Sequence, residues 1–150
     1  MADFIPTDPN FRERVAASFD RQAFLATIGA RMTVLEPGYC ELTMSPRPDL
    51  CQQHGHVHAG ATTTLADTAA GYAAYSLMPA GSAVLTTEFK VNLLNPARGD
   101  VLVARARVIK AGRTLTVVRS DVVGVTGATE KPVATMLATM MCLADSPDPA

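Results

Sequence analysis

The sequence predicts an α+β domain in which a curved antiparallel β-sheet wraps around one long central helix. Two observations support this class. Residues 59–78 form a long run of small and apolar residues, and residues 85–143 change to the period-two pattern of strands joined by tight turns. Runs of antiparallel strands with segregated helices are typical of α+β proteins rather than of doubly wound sheets. The chain of 150 residues is long enough for a single domain with one packed core.

The N-terminal part predicts one helix and one hairpin. Residues 11–28 carry apolar side chains at helical spacing, with Arg and Asp between them, and a glycine follows the run. Residues 32–35 and 39–45 are strand candidates, and Pro37-Gly38 between them forms the turn. Residues 46–53 then predict a loop.

Residues 59–78 are locally ambiguous. The three threonines at 62–64 favour a strand, because β-branched residues lose rotamer freedom in a helix. The length of the run, its many alanines and the spacing of Leu65 and Tyr72 favour a helix. We predict a helix, and its small side chains would let a sheet approach it closely.

Four strands are predicted after this helix. In the first, alternation places Phe89 on an apolar face and Thr86 on the polar face. Tight turns at 111–113 and 126–128 separate the later strands. The predicted strands span residues 85–93, 101–110, 114–125 and 133–143.

Composition narrows the class of protein. A net charge of −1 gives no electrostatic reason to expect a nucleic acid or an anionic membrane as a partner. Three cysteines without metal-like or redox spacing indicate free thiols, and the N-terminus has no signal-peptide pattern, so we expect a cytoplasmic protein. We expect residues 1–10 and 145–150 to flank the domain as flexible segments.

The most informative motif is His58-Ala59-Gly60, followed nine positions after the histidine by Asp67. Asp67 is the only charge in the apolar run, and a carboxylate there costs free energy unless something pairs with it or uses it. Two interpretations remain at this point: a structural carboxylate that pairs with a buried arginine, or a catalytic one.

This motif resembles that of the hotdog-fold acyl-CoA thioesterases, and most closely the PaaI-like branch of the 4-hydroxybenzoyl-CoA thioesterase superfamily. Asn95-Pro96-Ala97 and the turn at 110–113 add to the likeness, which covers residues 32–143. The resemblance implies a hotdog fold and hydrolysis of an acyl-CoA to free CoA and a carboxylic acid. It implies no metal or redox cofactor, since CoA enters only as part of the substrate.

The resemblance also implies residue roles. Asp67 would activate water or attack the thioester directly, and the Ala59 N–H, with that of Gly60, would hold the oxyanion at the start of the helix. Ala59 departs from the glycine usual in the family, but it keeps the N–H donor. Gln52, His58 and Thr86 complete the expected catalytic set, and the expected substrate contacts beyond Gly60 are Asn95, Arg98, Lys110 and Arg113.

The spacing of the two main groups predicts an oligomer. Asp67 lies eight residues after Ala59, which is about 12 Å along a helix. One thioester carbonyl cannot contact both groups of the same chain, so we predict a homodimer with composite active sites, which could pair into a dimer of dimers.

Other functions remain open from the sequence. The same fold can serve an enoyl-CoA hydratase or dehydratase, or a protein that binds acyl-CoA without turnover. His54, His56 and His58 alternate as zinc ligands can, but no dependable fourth ligand accompanies them. The sequence does not indicate which acyl group is bound, and aryl, phenylacetyl and short-to-medium acyl chains all remain candidates.

Overall fold

A six-stranded antiparallel sheet packs against one central helix in the computed structural model, which describes residues 4–146. The sheet order is β1-β2-β4-β5-β6-β3, so the α+β prediction is confirmed. The helices are α1 (Phe11–Asp20), α2 (Ala23–Ile28) and α3 (Ala59–Tyr75), and a short 3₁₀ helix spans Pro48–Leu50. The strands are β1 (Arg31–Glu36), β2 (Tyr39–Met44), β3 (Ala83–Leu93), β4 (Val101–Ala111), β5 (Leu115–Thr126) and β6 (Thr129–Leu143).

The small side chains of the central helix α3 allow it to pack closely against the sheet. Ala66, Ala69 and Ala73 are fully buried, and α3 packs against β2 to β6. Two of the threonines that favoured a strand are accommodated because their hydroxyls donate to carbonyls about one turn back: Thr62 to Ala59 over 3.0 Å and Thr64 to Gly60 over 2.9 Å. The helix prediction is therefore confirmed, although α3 ends at Tyr75 rather than at residue 78.

The prediction of one helix over residues 11–28 is wrong, because the helical conformation is interrupted between α1 and α2. Gln22 has an extended backbone, with ψ near 90°, and caps α2. In an unbroken helix Ile28 would lie about 140° around the axis from Val15, at 100° per residue. The break lets both side chains enter the core, where they are 4% and 0% exposed.

The segment before α1 is attached to the domain within the described residues. The Thr7 hydroxyl donates to the Leu77 carbonyl over 2.9 Å. Asp8 is buried and forms an ion pair with Arg14 at 2.7 Å. A hydrogen bond from the Asn10 N–H, together with Arg14, lowers the pKa of the Asp8 carboxyl. Residues 1–3 and 147–150 of the expected flexible ends lie outside the described part of the chain.

Strand β3 differs most from its prediction. It lies at the edge of the sheet beside β6, whereas β4 lies between β2 and β5. A β-bulge between Thr86 and Glu88 shifts the alternation by one residue, so the predicted faces hold only after the bulge. As a result Thr86, expected on the polar face, points towards α3 and contacts Asp67. Strand β6 also begins four residues earlier than predicted, at Thr129.

Candidate active site

The first turn of α3 presents one free backbone donor. His58 caps the helix, because its Nδ1 accepts the Gly60 N–H over 2.9 Å. The N–H groups of Ala61 and Thr62 donate to the His58 carbonyl. Within residues 4–146 the Ala59 N–H has no hydrogen-bond acceptor. Of the two donors that the sequence suggested for an oxyanion, only Ala59 is therefore available without displacing the His58 cap.

A cavity of about 530 Å³ opens beside this donor, and we call it the Ala59 cavity. Three residues of the sequence-based site, Gln52, His58 and Asn95, line it. The Gln52 side-chain oxygen accepts the His54 N–H, and its backbone N–H donates to the His56 carbonyl over 2.8 Å. The side chain is thus held within a tight turn at the cavity wall.

The loop between β3 and β4 forms the other wall of the Ala59 cavity. The Ala97 carbonyl accepts the Val57 N–H over 3.3 Å, which links this loop to the start of α3. The loop approaches β5 so closely that a Cβ on Gly124 would lie 1.9 Å from the Arg98 carbonyl oxygen. Only a residue without a side chain fits there, so Gly124 fixes the loop that faces Ala59.

Asp67 lies in the middle of α3 and is half-buried. Its Oδ1 accepts a hydrogen bond of 2.9 Å from the Thr86 hydroxyl on β3. Burial raises the pKa of the Asp67 carboxyl above its usual value, and the Thr86 hydrogen bond partly offsets this rise. A carboxylate in such surroundings is a stronger base than one in water.

A second cavity of about 390 Å³, the Asp67 cavity, adjoins this carboxylate. Its far wall comes from the N-terminal helices: Ser18 and Gln22 line it together with Tyr72 of α3. Gln22 Nε2 donates to the Tyr72 hydroxyl over 2.5 Å. The sequence-based site did not include these three residues. Tyr72 follows Asp67 by five positions on one helix, but no sequence signal connects residues 18 and 22 with that carboxylate.

The two halves of the predicted site are separate in one chain. The Ala59 cavity and the Asp67 cavity share no lining residue. Thr86 lies with Asp67, whereas Gln52 and Asn95 lie with Ala59. The free Ala59 N–H and the half-buried Asp67 carboxylate of one protomer therefore do not face one common space.

The three cations proposed for CoA lie at opposite ends of the sheet. Arg98 contacts the His56 ring at the edge of the Ala59 cavity, with Nε 3.0 Å from Nδ1. Lys110 pairs with Val117, near the turn that carries Arg113. Gly124 lies beside Arg98 and is seven positions after Val117 on β5. This spacing corresponds to a distance of about 23 Å along the strand. The three cations of one chain therefore cannot bind one phosphate cluster.

No group of three or more His, Cys, Asp or Glu side chains in residues 4–146 is placed to hold a metal ion. In the same part of the chain, no helix is both long and apolar enough to span a membrane.

A six-stranded antiparallel sheet around one central helix is the architecture of hotdog-fold thioesterase domains. Residues 54–130 match the family model described as "Thioesterase superfamily". The chain belongs to that family, and the resemblance inferred from the sequence is confirmed.

Solved structures support the same class. A thioesterase family protein from Silicibacter pomeroyi is 49% identical, with a TM-score of 0.87 over 89% of this chain and 98% of that one. The E. coli PaaI protein from the phenylacetic acid degradation operon superposes with a TM-score of 0.82 over 91% of this chain and 96% of its own, at 24% identity. The second likeness concerns the fold alone.

Curated relatives match over shorter segments. The acyl-coenzyme A thioesterase PaaI of E. coli is 29% identical over 98 residues, which are 65% of this chain and 68% of that protein. A provisionally named esterase from Halobacterium salinarum is 45% identical over 71 residues, 46% of each chain. This chain spans 46% of the length of the Halobacterium protein and 60% of the length of a second matched esterase, from Saccharolobus solfataricus.

Proposed function

We propose that this protein is an acyl-CoA thioesterase that acts as a homo-oligomer with composite active sites. The observation that carries the proposal is the half-buried Asp67 carboxylate, which accepts a hydrogen bond from Thr86 and has a raised pKa. The family membership and the named activity of the E. coli relative support the substrate class. The acyl groups considered are aryl, phenylacetyl and short-to-medium chains.

The proposed reaction needs a base and an oxyanion donor. Asp67 takes a proton from a water molecule whose oxygen attacks the thioester carbon, or its own oxygen attacks and the resulting anhydride is hydrolysed. The carbonyl oxygen becomes an oxyanion at the Ala59 N–H, where the helix dipole also favours negative charge. The C–S bond then breaks, the CoA thiolate leaves and takes up a proton, and the acyl group leaves as a carboxylic acid. This scheme uses no metal or redox cofactor.

Remaining site residues have supporting roles in the proposal. His58 holds the first turn of α3, and Gln52 and Asn95 contact the thioester region from the walls of the Ala59 cavity. Gly60 contributes through its hydrogen bond to His58. Arg98 contacts His56 at the edge of that cavity, and its proposed role is to bind a CoA phosphate there, whereas Lys110 and Arg113 would bind one from another subunit.

The edge strand β3 supports the proposed dimer. It carries the unpaired backbone groups of a sheet edge, a feature that readily pairs with another chain. Large apolar side chains remain exposed along it and just after it: Leu85 at 52%, Phe89 at 42%, Leu93 at 58% and Leu94 at 50%. A two-fold pairing here would cover them and set the Asp67 cavity of one chain beside the Ala59 cavity of the other.

Release of free thiol from a panel of acyl-CoA esters tests the proposal. We expect turnover with at least one aryl or short-to-medium acyl-CoA, and hydration of enoyl-CoA esters in the same preparation serves as the comparison. The proposal is overturned if no acyl-CoA releases thiol, or if hydration exceeds thiol release.

A further inference from the structure

Gln22 lies between two cavities that the fold otherwise keeps apart. One is the Asp67 cavity. The other, the helix–β1 groove, measures about 650 Å³ and is formed by α1, α2 and β1. Among the residues that the structure describes, Gln22 alone lines both of them. We infer that the Gln22 side chain closes the acyl end of the Asp67 cavity and thereby sets the length of the acyl group that the enzyme accepts.

The inference rests on the proposed function, because it assigns the Asp67 cavity to the acyl group. The size of this cavity supports the assignment. Its volume of about 390 Å³ equals about a dozen water-sized volumes. Coenzyme A, with its nucleotide, pyrophosphate and pantetheine arm, is far larger. A thioester carbon held at Asp67 therefore leaves room inside only for a compact acyl group, and the coenzyme extends outwards.

The far wall of the Asp67 cavity is held in place by hydrogen bonds. Gln22 Nε2 donates to the Tyr72 hydroxyl, which also lies 3.3 Å from Ser18 Oγ. The Tyr72 ring packs edge-on against Phe19 at 5.8 Å between centroids. Because α1 ends just before Gln22, the side chain is directed by the helix break rather than by a regular helix.

The space behind Gln22 suits an alkyl chain. The helix–β1 groove has apolar side chains that the fold leaves partly open, with Arg12, Asp20 and Arg31 also among its lining residues; the apolar ones are Phe19, Ala26, Met32, Val34 and Leu35. An acyl chain that passes Gln22 would bury its methylenes against these apolar side chains. Each buried methylene is worth about fourfold in binding. Removing the Gln22 side chain should thus favour long chains and leave compact acyl groups largely unaffected.

The test compares kcat/KM across straight-chain acyl-CoA esters from four to twelve carbons. Gln22→Ser shortens the side chain and keeps a preferred helix cap, so α2 is retained. Gln22→Met keeps the length and volume of the side chain but cannot donate to Tyr72, so it separates the steric effect from the hydrogen bond. We expect Gln22→Ser to raise the ratio of long-chain to short-chain kcat/KM at least tenfold, and Gln22→Met to raise it by less than Gln22→Ser.

A second substitution tests whether the additional methylenes of a long acyl chain bind in the helix–β1 groove. Ala26 lines only the helix–β1 groove, so Ala26→Phe should leave the wild-type profile unchanged and should cancel the long-chain gain of Gln22→Ser. The inference is overturned if Gln22→Ser changes all esters by one factor, or if Ala26→Phe does not reduce its long-chain gain. A wild-type protein that is inactive on every ester would instead overturn the proposed function, and the inference with it.

Discussion

Thr86 donates a hydrogen bond of 2.9 Å to Asp67, and the two residues are 19 positions apart in the chain. The contact exists because the β-bulge after Thr86 turns this residue towards α3 instead of towards solvent. Thr86 also touches Met140 Sδ at 3.4 Å, so its position is fixed from the neighbouring strand. The carboxylate is therefore both desolvated and oriented.

Replacing Asp67 with Asn should abolish turnover without weakening the fold. General-base catalysis contributes about 10²–10⁴ in rate, so we expect kcat to fall by about that factor. The raised pKa means that the charged carboxylate costs the folded state free energy at neutral pH, and a neutral amide should leave the melting temperature equal or higher. Thiol release and thermal unfolding measure the two effects.

The same substitution at Asp121, a half-buried carboxylate of β5, is the control and should retain activity. A large loss of stability in Asp67→Asn would instead indicate a structural carboxylate that pairs with a buried cation, since breaking such a pair typically costs about 3–5 kcal/mol.

Replacing Thr86 with Val should move the acid limb of the pH profile to higher pH. The hydrogen bond stabilises the charged Asp67 and lowers its pKa, so its loss raises that pKa further. Activity needs the deprotonated carboxylate, and kcat/KM should therefore begin to fall at a higher pH than in the wild type. We also expect a loss of about tenfold or more at the plateau, typical of a hydrogen bond to a charged group.

Thr87→Val is the matched control for this experiment. The Thr87 hydroxyl donates to the Thr139 carbonyl and not to Asp67. Its profile should keep the wild-type acid limb, and an equal shift in both variants would contradict the role assigned to Thr86.

Local patterns in the sequence were sufficient to predict α3 and most strand positions. Alternation in β4 and the turn at Gly112 depend on residues within a few positions of each other, which is the information that a periodic pattern contains. Strand order was not predictable in this way, because the pairing of β3 with β6 joins residues about 40 to 60 positions apart. The bulge at Thr87 likewise follows from that pairing and not from local propensity.

The candidate site was also predictable only where it depends on residues close together in the sequence. The spacing of Ala59 and Asp67 along one helix already implied two half-sites, and the two separate cavities agree with this. Gln22 was missed because its role arises from a helix break that two core contacts require, at Val15 and Ile28. The helical spacing of apolar residues continues across the interruption between α1 and α2, so the sequence pattern does not indicate it.

A charged side chain on the edge strand β3 should dissociate the proposed dimer, and activity should be lost with it. Phe89→Glu places a carboxylate among the exposed apolar side chains of β3, where a partner would have to desolvate it. We expect a shift to the monomer in light scattering and a parallel loss of thiol release. Phe24→Glu on α2, at a position that is 60% exposed, is the control and should change neither. An active Phe89→Glu monomer would refute the composite site.

Two glycine-to-alanine substitutions should act in opposite directions on stability. At Gly124 the new Cβ would overlap the Arg98 carbonyl oxygen, and overpacking of this kind costs about 1–3 kcal/mol or more. At Gly71, inside α3, no atom lies within 4 Å of the new Cβ apart from its chain neighbours and the backbone of its own helix, and alanine should add about 1 kcal/mol through helix propensity. Chemical denaturation measures both, and equal effects at the two positions would contradict the close approach at Gly124.

Two inactive variants should restore activity when their subunits are mixed. Ala59→Pro removes only the free N–H, because proline is favoured at the first position of a helix and the extended His58 before it tolerates proline. Alone, this variant should lose about 10²–10³ in kcat, the usual cost of an oxyanion donor. Asp67→Asn lacks the base. A heterodimer of the two variants has one composite site with both groups intact and one with neither.

Random reassortment of equal amounts makes half of the dimers mixed, so we expect about a quarter of wild-type activity after co-refolding. Simple mixing without subunit exchange is the control and should stay inactive. If both groups instead acted within one chain, every site would lack one of them, and the refolded mixture would be no more active than its components. Recovery therefore depends on whether the Ala59 N–H of one subunit meets the Asp67 of the other.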